Sequence, residues 1–245
     1  MAGAGHIVAE TLALVRRSVR PGVSTLDLDG IAEAFIRSHP GALPSFKGLY
    51  GFPKTLCTSV NDEVVHGIPG ARALQEGDVV GIDCGAVVGG YYGDAARTLA
   101  VGAVNAETAR LLEATKKALL QGIAAARAGG RVSDTGAAIE AVAIVNGYGV
   151  VRDFVGHGVG TALHEEPQVP NYGPAGRGSP VHAGMVLVTD PAHHAARAAR
   201  PRSPHGASWR ACEDVSTPQS LASASKEPTK AGRWLRGAPA SWREK

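Results

Sequence analysis

The sequence predicts an α+β domain that is internally duplicated. Its elements run in the order helix, helix, strands, and that order occurs twice. The junctions before the second helix of each set are alike, Gly22-Val23-Ser24 in one and Arg131-Val132-Ser133 in the other. Apolar residues make up 44% of 245 residues and charged residues 19%, a globular composition that can bury a core. Repetition of this kind changes a fold assignment, and a duplicated domain would place its site between the halves.

Ile7 to Val19 carries apolar residues at helical spacing and stops at Pro21-Gly22. Ser24 then caps a second helix reaching about Ser38, with Asp27 three residues on as in a capping box. Leu56 to Val60, Val79 to Asp83 and Thr98 to Val101 read as strands. Asn105 caps a long helix that ends near Gly129-Gly130, and Ser133 caps another that ends near Gly147. Val150 to Val155 and Met185 to Thr189 read as strands again.

The composition breaks at Pro191. Of all Val, Leu, Ile and Phe, only Val215, Leu221 and Leu235 lie beyond it. So little aliphatic surface does not offset chain entropy. The expected boundaries are therefore a folded domain over 1–191 and a disordered or non-homologous tail over 192–245. The tail holds ten Lys and Arg against four Asp and Glu, which leaves the body at a net −3 of the chain's +3. A mildly acidic body is not a nucleic-acid binder. No apolar run approaches the roughly 18 residues of a spanning helix, and no basic segment precedes an apolar one at the start, so neither membrane insertion nor export is expected. Three cysteines at uneven spacing exclude a disulfide framework and point to the cytoplasm.

Chemistry concentrates in a few segments. Gly81-Ile82-Asp83-Cys84-Gly85 is followed by Gly93-Asp94-Ala95-Ala96-Arg97-Thr98, which sets the aspartates eleven residues apart. Each sits at an expected strand edge, and a hairpin would bring both carboxylates together. Such a pair repels unless a proton or cation lies between, and hard oxygen donors suit divalent metals. The plainer reading is that both merely make turns beside glycine. Gly156-His157-Gly158-Val159-Gly160 precedes His164-Glu165-Glu166-Pro167. Glycines leave His157 accessible, and a neutral imidazole is a good ligand. The spacing is not the dinucleotide fingerprint, and Gln at 168 excludes a zincin helix. In Asn61-Asp62-Glu63-Val64-Val65-His66-Gly67-Ile68-Pro69, His66 either faces a cleft or sits on a surface loop.

Together these segments resemble type I methionine aminopeptidase, of peptidase family M24. The resemblance runs from about Ala4 to Pro191. It also includes Pro21-Gly22-Val23-Ser24-Thr25, Gly51-Phe52-Pro53-Lys54 and Gly184-Met185-Val186. It implies the pita-bread fold, an antiparallel sheet with helices on its outer face. It implies two divalent metal ions (Co, Mn, Fe or Zn) held by Asp83, Asp94, His157 and Asp190, with Asp94 bridging. His164 would contact the scissile peptide, and His66 would hydrogen-bond the substrate backbone. Phe46, Leu49, Phe52, Cys57 and Leu163 match positions lining a methionine pocket.

The implied reaction removes the initiator methionine from nascent chains whose second residue is small, through a metal-bound hydroxide. A monomer working near the ribosome in the cytoplasm would follow. Two departures stand out. Asp190-Pro191 occupies the place of the family's Glu-Pro, one methylene shorter. The family's late Glu-His-Thr segment, whose Glu bridges the metals, has no counterpart, so C-terminal strands are expected to be missing and activity impaired. Two alternatives stay open: an inactive pita-bread module that binds a peptide or partner, and a proline-specific M24 peptidase.

Overall fold

The computed structural model describes residues 1–189 and the backbone of 195–197. Helix α1 (Ala2–Ser18) and helix α2 (Thr25–Arg37) cover one face of a four-stranded antiparallel sheet. Its strands are β1 (Ala42–Pro44), β2 (Leu56–Val60), β3 (Val79–Val88) and β4 (Tyr91–Ala100). Strand β3 is central. One edge pairs with β4 along its whole length, and the other pairs with β1 and then β2. The core between helices and sheet takes Ile7, Val8, Leu12 and Val15 from α1 and Leu28, Ala32 and Ile36 from α2. They meet Leu56 and Val60 of β2 and Val80, Ile82, Cys84 and Ala86 of β3. Every second residue of β3 is thus committed to the core, and its odd-numbered residues face the other side.

The second half repeats the plan with helix α3 (Ala106–Ala125), helix α4 (Val132–Val145) and short strands. These are β5 (Tyr148–Val150), β6 (Gly156–Gly158), β7 (Glu165–Val169), β8 (Leu187–Val188) and β9 (Ala195–Arg197). Strand β6 lies between β7 and β8, and β5 pairs with β9, all antiparallel. The duplication is written in the backbone hydrogen bonds. Gly22 N–H donates to Leu74 O, Thr25 N–H to Arg72 O and Leu26 N–H to Gly70 O. Gly129 donates to Val181, Val132 to Ser179 and Ser133 to Arg177. Both partners of every bond shift by 107 residues. The two junctions therefore correspond as Gly22-Val23-Ser24 and Gly129-Gly130-Arg131, two residues away from the match the side chains suggested.

This shift corrects the cap of α4. Ser24 caps α2 as expected, its hydroxyl accepting from Asp27 N–H at 3.0 Å and Asp27 accepting from Ser24 N–H at 3.0 Å. In α4 the cap is Arg131, whose N–H donates to Asp134 Oδ2 at 2.7 Å. Ser133 lies inside the helix and bonds to the backbone of Arg177 instead. The strands also differ from expectation. The β3–β4 hairpin turns at Gly89-Gly90, so Asp83 and Asp94 lie well inside strands, not at their edges. Ladder pairing to β2 and β4 carries β3 through a glycine-containing stretch with weak strand propensity. The segment expected as a strand to Val155 stops at Val150. The closing strands expected to be missing and Asp190 lie outside the described residues, as does the tail 192–245 apart from β9, whose pairing with β5 gives an ordered strand where a disordered tail was expected.

One buried carboxylate fastens α2 to the sheet. Asp29 Oδ1 accepts from Thr55 N–H and Leu56 N–H, both at 2.8 Å. Asp29, Thr55 and Leu56 are all buried, so no water replaces the lost acceptor. Asp29→Ala should cost roughly 2–4 kcal/mol, while Asp29→Asn, which keeps the accepting oxygen, should recover most of it. Urea denaturation of both variants checks this.

Candidate active site

The site grows out of the β3–β4 ladder. Asp83 stands opposite Ala96, and Gly85 opposite Asp94. Residues opposite or two apart share a face, so Asp83 and Asp94 are diagonal neighbours on the face turned away from the helices. Cys57 of β2 stands opposite Asp83 on that same face. Gly85 leaves room for the loop that follows β1. A Cβ there would run into Ser45 Oγ and the Phe46 ring.

The second half supplies the histidines. His157 in β6 is buried, and its Nε2 lies 3.4 Å from Asp94 Oδ2. Its Nδ1 lies 2.9 Å from Gly158 O. A carbonyl only accepts, so Nδ1 carries the proton. In the neutral imidazole Nε2 then presents a lone pair to a carboxylate oxygen. Two acceptors facing each other in a buried cleft need a positive species between them, a proton or a metal ion. A separation of 3.4 Å also suits a cation bound at about 2.1 Å to each atom near a tetrahedral angle. Among the described residues, no three His, Cys, Asp or Glu side chains are gathered into a ready metal cage. The donors Asp83, Asp94 and His157 nonetheless fit a divalent ion in type and fixed tautomer.

His164 lies against His157, ring centroids 4.7 Å apart and planes at 80°. Burial, with His157 beside it, pulls its pKa down to about 4. Asp94 opposes that shift and His66 adds to it, which places all three within electrostatic reach. His164 is therefore neutral at physiological pH. His66 is held in the left-handed region at φ 61°, and its ring meets Phe154 edge-on at 6.1 Å. It is half-buried against Phe154 and does not stand clear on a surface loop.

Phe46, Phe52, Cys57 and Leu163 form one buried apolar cluster, with Leu49 packed against it. All the residues expected to line a pocket thus meet, drawn from a loop, a strand and the opposite half. The loop turns tightly through Gly48 (φ 90°), Tyr50 (φ 50°) and Gly51 (φ 82°), closed by Gly48 N–H to Phe52 O at 2.8 Å. Burial first, and then the carboxylates of Asp83 and Asp94, push the Cys57 thiol well above its ordinary range. It stays protonated and packs within the apolar cluster.

Two neighbours were missed in the sequence. Tyr92 packs on the apolar cluster, and Tyr50 stacks parallel to His164 at 6.5 Å. Aromatic residues among glycines gave a faint signal, but nothing local pairs them with residues far along the chain.

Paired carboxylates facing a tautomer-locked histidine beside a buried apolar cluster define a metallohydrolase type of site. The comparisons agree. The profile of metallopeptidase family M24 matches residues 1–215. The methionine aminopeptidase of Clostridium acetobutylicum is 50% identical over 192 residues, which is 78% of this chain and 76% of that protein. The crystal structure of methionine aminopeptidase from Rickettsia prowazekii superposes with a TM-score of 0.74 at 40% identity, covering 76% of this chain and 74% of that one. The chain belongs to family M24 and, within it, to the methionine aminopeptidases. The prolidase from Pyrococcus furiosus shares the fold, with a TM-score of 0.66, but only 22% identity and 52% of its own length. The proline-specific and inactive-module alternatives are accordingly not favoured.

The Gly85 contact yields a test of the pocket. Gly85→Ala should displace Phe46 and lower kcat/KM for a Met-Ala-Ser peptide by about tenfold or more, mainly through KM, since overpacking costs about 1–3 kcal/mol. Steady-state kinetics beside a melting curve checks it, and an unchanged KM counts against Phe46 as a pocket wall.

Proposed function

We propose that this chain removes the N-terminal methionine from nascent proteins with a small second residue, as a metal-dependent exopeptidase. The observation that carries the reading is the Asp94–His157 contact between the halves, beside a buried apolar cluster. Asp83, Asp94 and His157 would hold the metal, with Asp190 completing the set, and paired carboxylates suit two divalent ions. When bound, the metal supplies Lewis acidity, which acidifies water and offsets charge on the reacting carbonyl.

The remaining steps belong to the protein. Phe46, Leu49, Phe52, Cys57 and Leu163 take the methionine side chain, whose unbranched thioether adapts to such walls. Burial beside two carboxylates favours a substrate that brings its own amine, so an internal peptide gains less. Neutral His164 can donate to the scissile peptide, where an oxyanion develops. His66, held by its backbone on the cleft, is positioned to bond the substrate main chain.

We further propose a monomer acting in the cytoplasm close to the ribosome. Nascent chains are its substrates, and the described cysteines, Cys57 and Cys84, are free thiols. No helix among the described residues is long and apolar enough to cross a membrane. The aminopeptidase domain is proposed to occupy 1–191, with 192–245 a tail set apart by composition and tied to the domain through β9. Limited proteolysis should then leave a core ending near residue 190, and resistance there overturns the boundary.

Purified full-length protein supplied with Co or Mn should release methionine from Met-Ala-Ser, and a chelator should stop it. Asp94→Ala should abolish release, lowering kcat by about 10²-fold or more, and reduce bound metal measured by elemental analysis. Undiminished metal content in that variant would remove Asp94 from the ligand set.

A further inference from the structure

We infer that Glu165 is a positioning residue, whose carboxylate fixes the turn that presents Leu163 to the pocket and His164 to the scissile peptide. The inference rests on the role proposed above for His164.

The turn joins β6 to β7, from Val159 to His164. Glu165, first residue of β7 and partner of Gly158 across the ladder, folds its side chain back over it. One oxygen, Oε1, accepts from Thr161 N–H at 2.7 Å, from Ala162 N–H at 2.9 Å and from Thr161 Oγ1 at 3.1 Å. These bonds, Ala162 N–H foremost, hold the carboxyl below the usual carboxylate range. Gly160 N–H donates to Ala162 O at 3.1 Å, which tightens the same turn. Without Glu165 the amides of Thr161 and Ala162 lose their acceptor, and the turn loses the group that closes it.

The seat of the carboxylate depends on a glycine. A Cβ at Gly160 would stand 2.8 Å and 2.9 Å from the two oxygens of Glu165. The position has an ordinary φ, so alanine there is tolerated by the backbone and penalised only by this contact. The turn is also tied to the first half, because Tyr92 N–H donates to Gly160 O at 2.8 Å. Tyr92 stands two residues before Asp94 on β4. One short hydrogen-bonded path thus runs from the carboxylate strand to the histidine turn, and Glu165 closes its far end. Leu163 and His164 follow directly, one buried in the apolar cluster and the other against the His157 ring.

The test uses full-length, metal-loaded protein and Met-Ala-Ser. Glu165→Ala should lower kcat/KM by about tenfold or more, since small misplacements of a catalytic group are costly, with bound metal and melting temperature close to wild type. Glu165→Gln keeps the accepting oxygen and should recover most of the loss. Gly160→Ala should reproduce it with Glu165 intact. In a double-mutant cycle, Glu165→Ala should cost little more once His164 is alanine. Amide hydrogen exchange at Thr161 and Ala162 gives a readout that needs no activity, and protection should fall in Glu165→Ala and return in Glu165→Gln. Full activity in Glu165→Ala, losses that add to those of His164→Ala, or unchanged amide protection overturns the inference. If His164→Ala is itself as active as wild type, the proposed role of His164 fails instead, and the exchange data still decide whether Glu165 holds the turn.

Discussion

Strand β3 couples the core of the first half to its chemistry. Val80, Ile82, Cys84 and Ala86 are locked into the helix-facing core, so Asp83 and Gly85 must face the cleft. A slip of one residue would bury Asp83 among aliphatic side chains and expose Ile82, a change that carries both desolvation and lost burial. The β4 ladder then leaves Asp94 no choice of face either, since it stands opposite Gly85. The register that stabilises the fold is the register that pairs the carboxylates. Mutations at the helix-facing residues of β3 should therefore be read as site mutations at one remove.

The electrostatics of the cleft are built to be completed by a cation. Two carboxylates share a face. Burial beside His157 keeps His164 neutral, and the Cys57 thiol is kept protonated. The Nδ1 bond to Gly158 aims the other nitrogen of His157 at Asp94. Paired carboxylates beside a neutral imidazole raise the benefit of a bound divalent ion. The same neutrality lets His164 donate a hydrogen bond without adding positive charge beside the metal site.

Much of this was legible in the chain. Glycine-flanked Asp83, Asp94 and His157, and the repeated element order, pointed to a duplicated domain with a metal-binding cleft. The apolar set Phe46, Leu49, Phe52, Cys57 and Leu163 came only through family resemblance, because nothing in its spacing announces a pocket. The parts that escaped depend on long-range pairing. Val132-Ser133 resembles Val23-Ser24 in letters, yet the hydrogen-bond frame places Gly130-Arg131 there, because backbone bonds to residues near 72 and 179 decide the correspondence. Strand lengths in β3 and β4 were underestimated for the same reason: glycine-rich segments have little intrinsic preference, and partners on both edges of β3 supply it. Tyr92 is invisible to local reading, since its backbone bond reaches Gly160 in the other half.

Duplication explains why the site lies where it does. Both halves keep one frame, a helix entry pinned by backbone bonds to a later segment, but each displays different chemistry on it. The first half offers oxygen donors on a long, well-paired hairpin, where burial on one face fixes direction on the other. The second half offers imidazoles on a short strand and a turn, where little secondary structure is available to fix anything. The burden there passes to individual contacts: the Gly158 carbonyl for His157, the Tyr50 ring beside His164, and a carboxylate folded onto the turn. Precision in the first half comes from register and in the second from specific side chains. Substitutions in the second half should accordingly damage function more selectively, with less loss of stability, than those in β3 and β4.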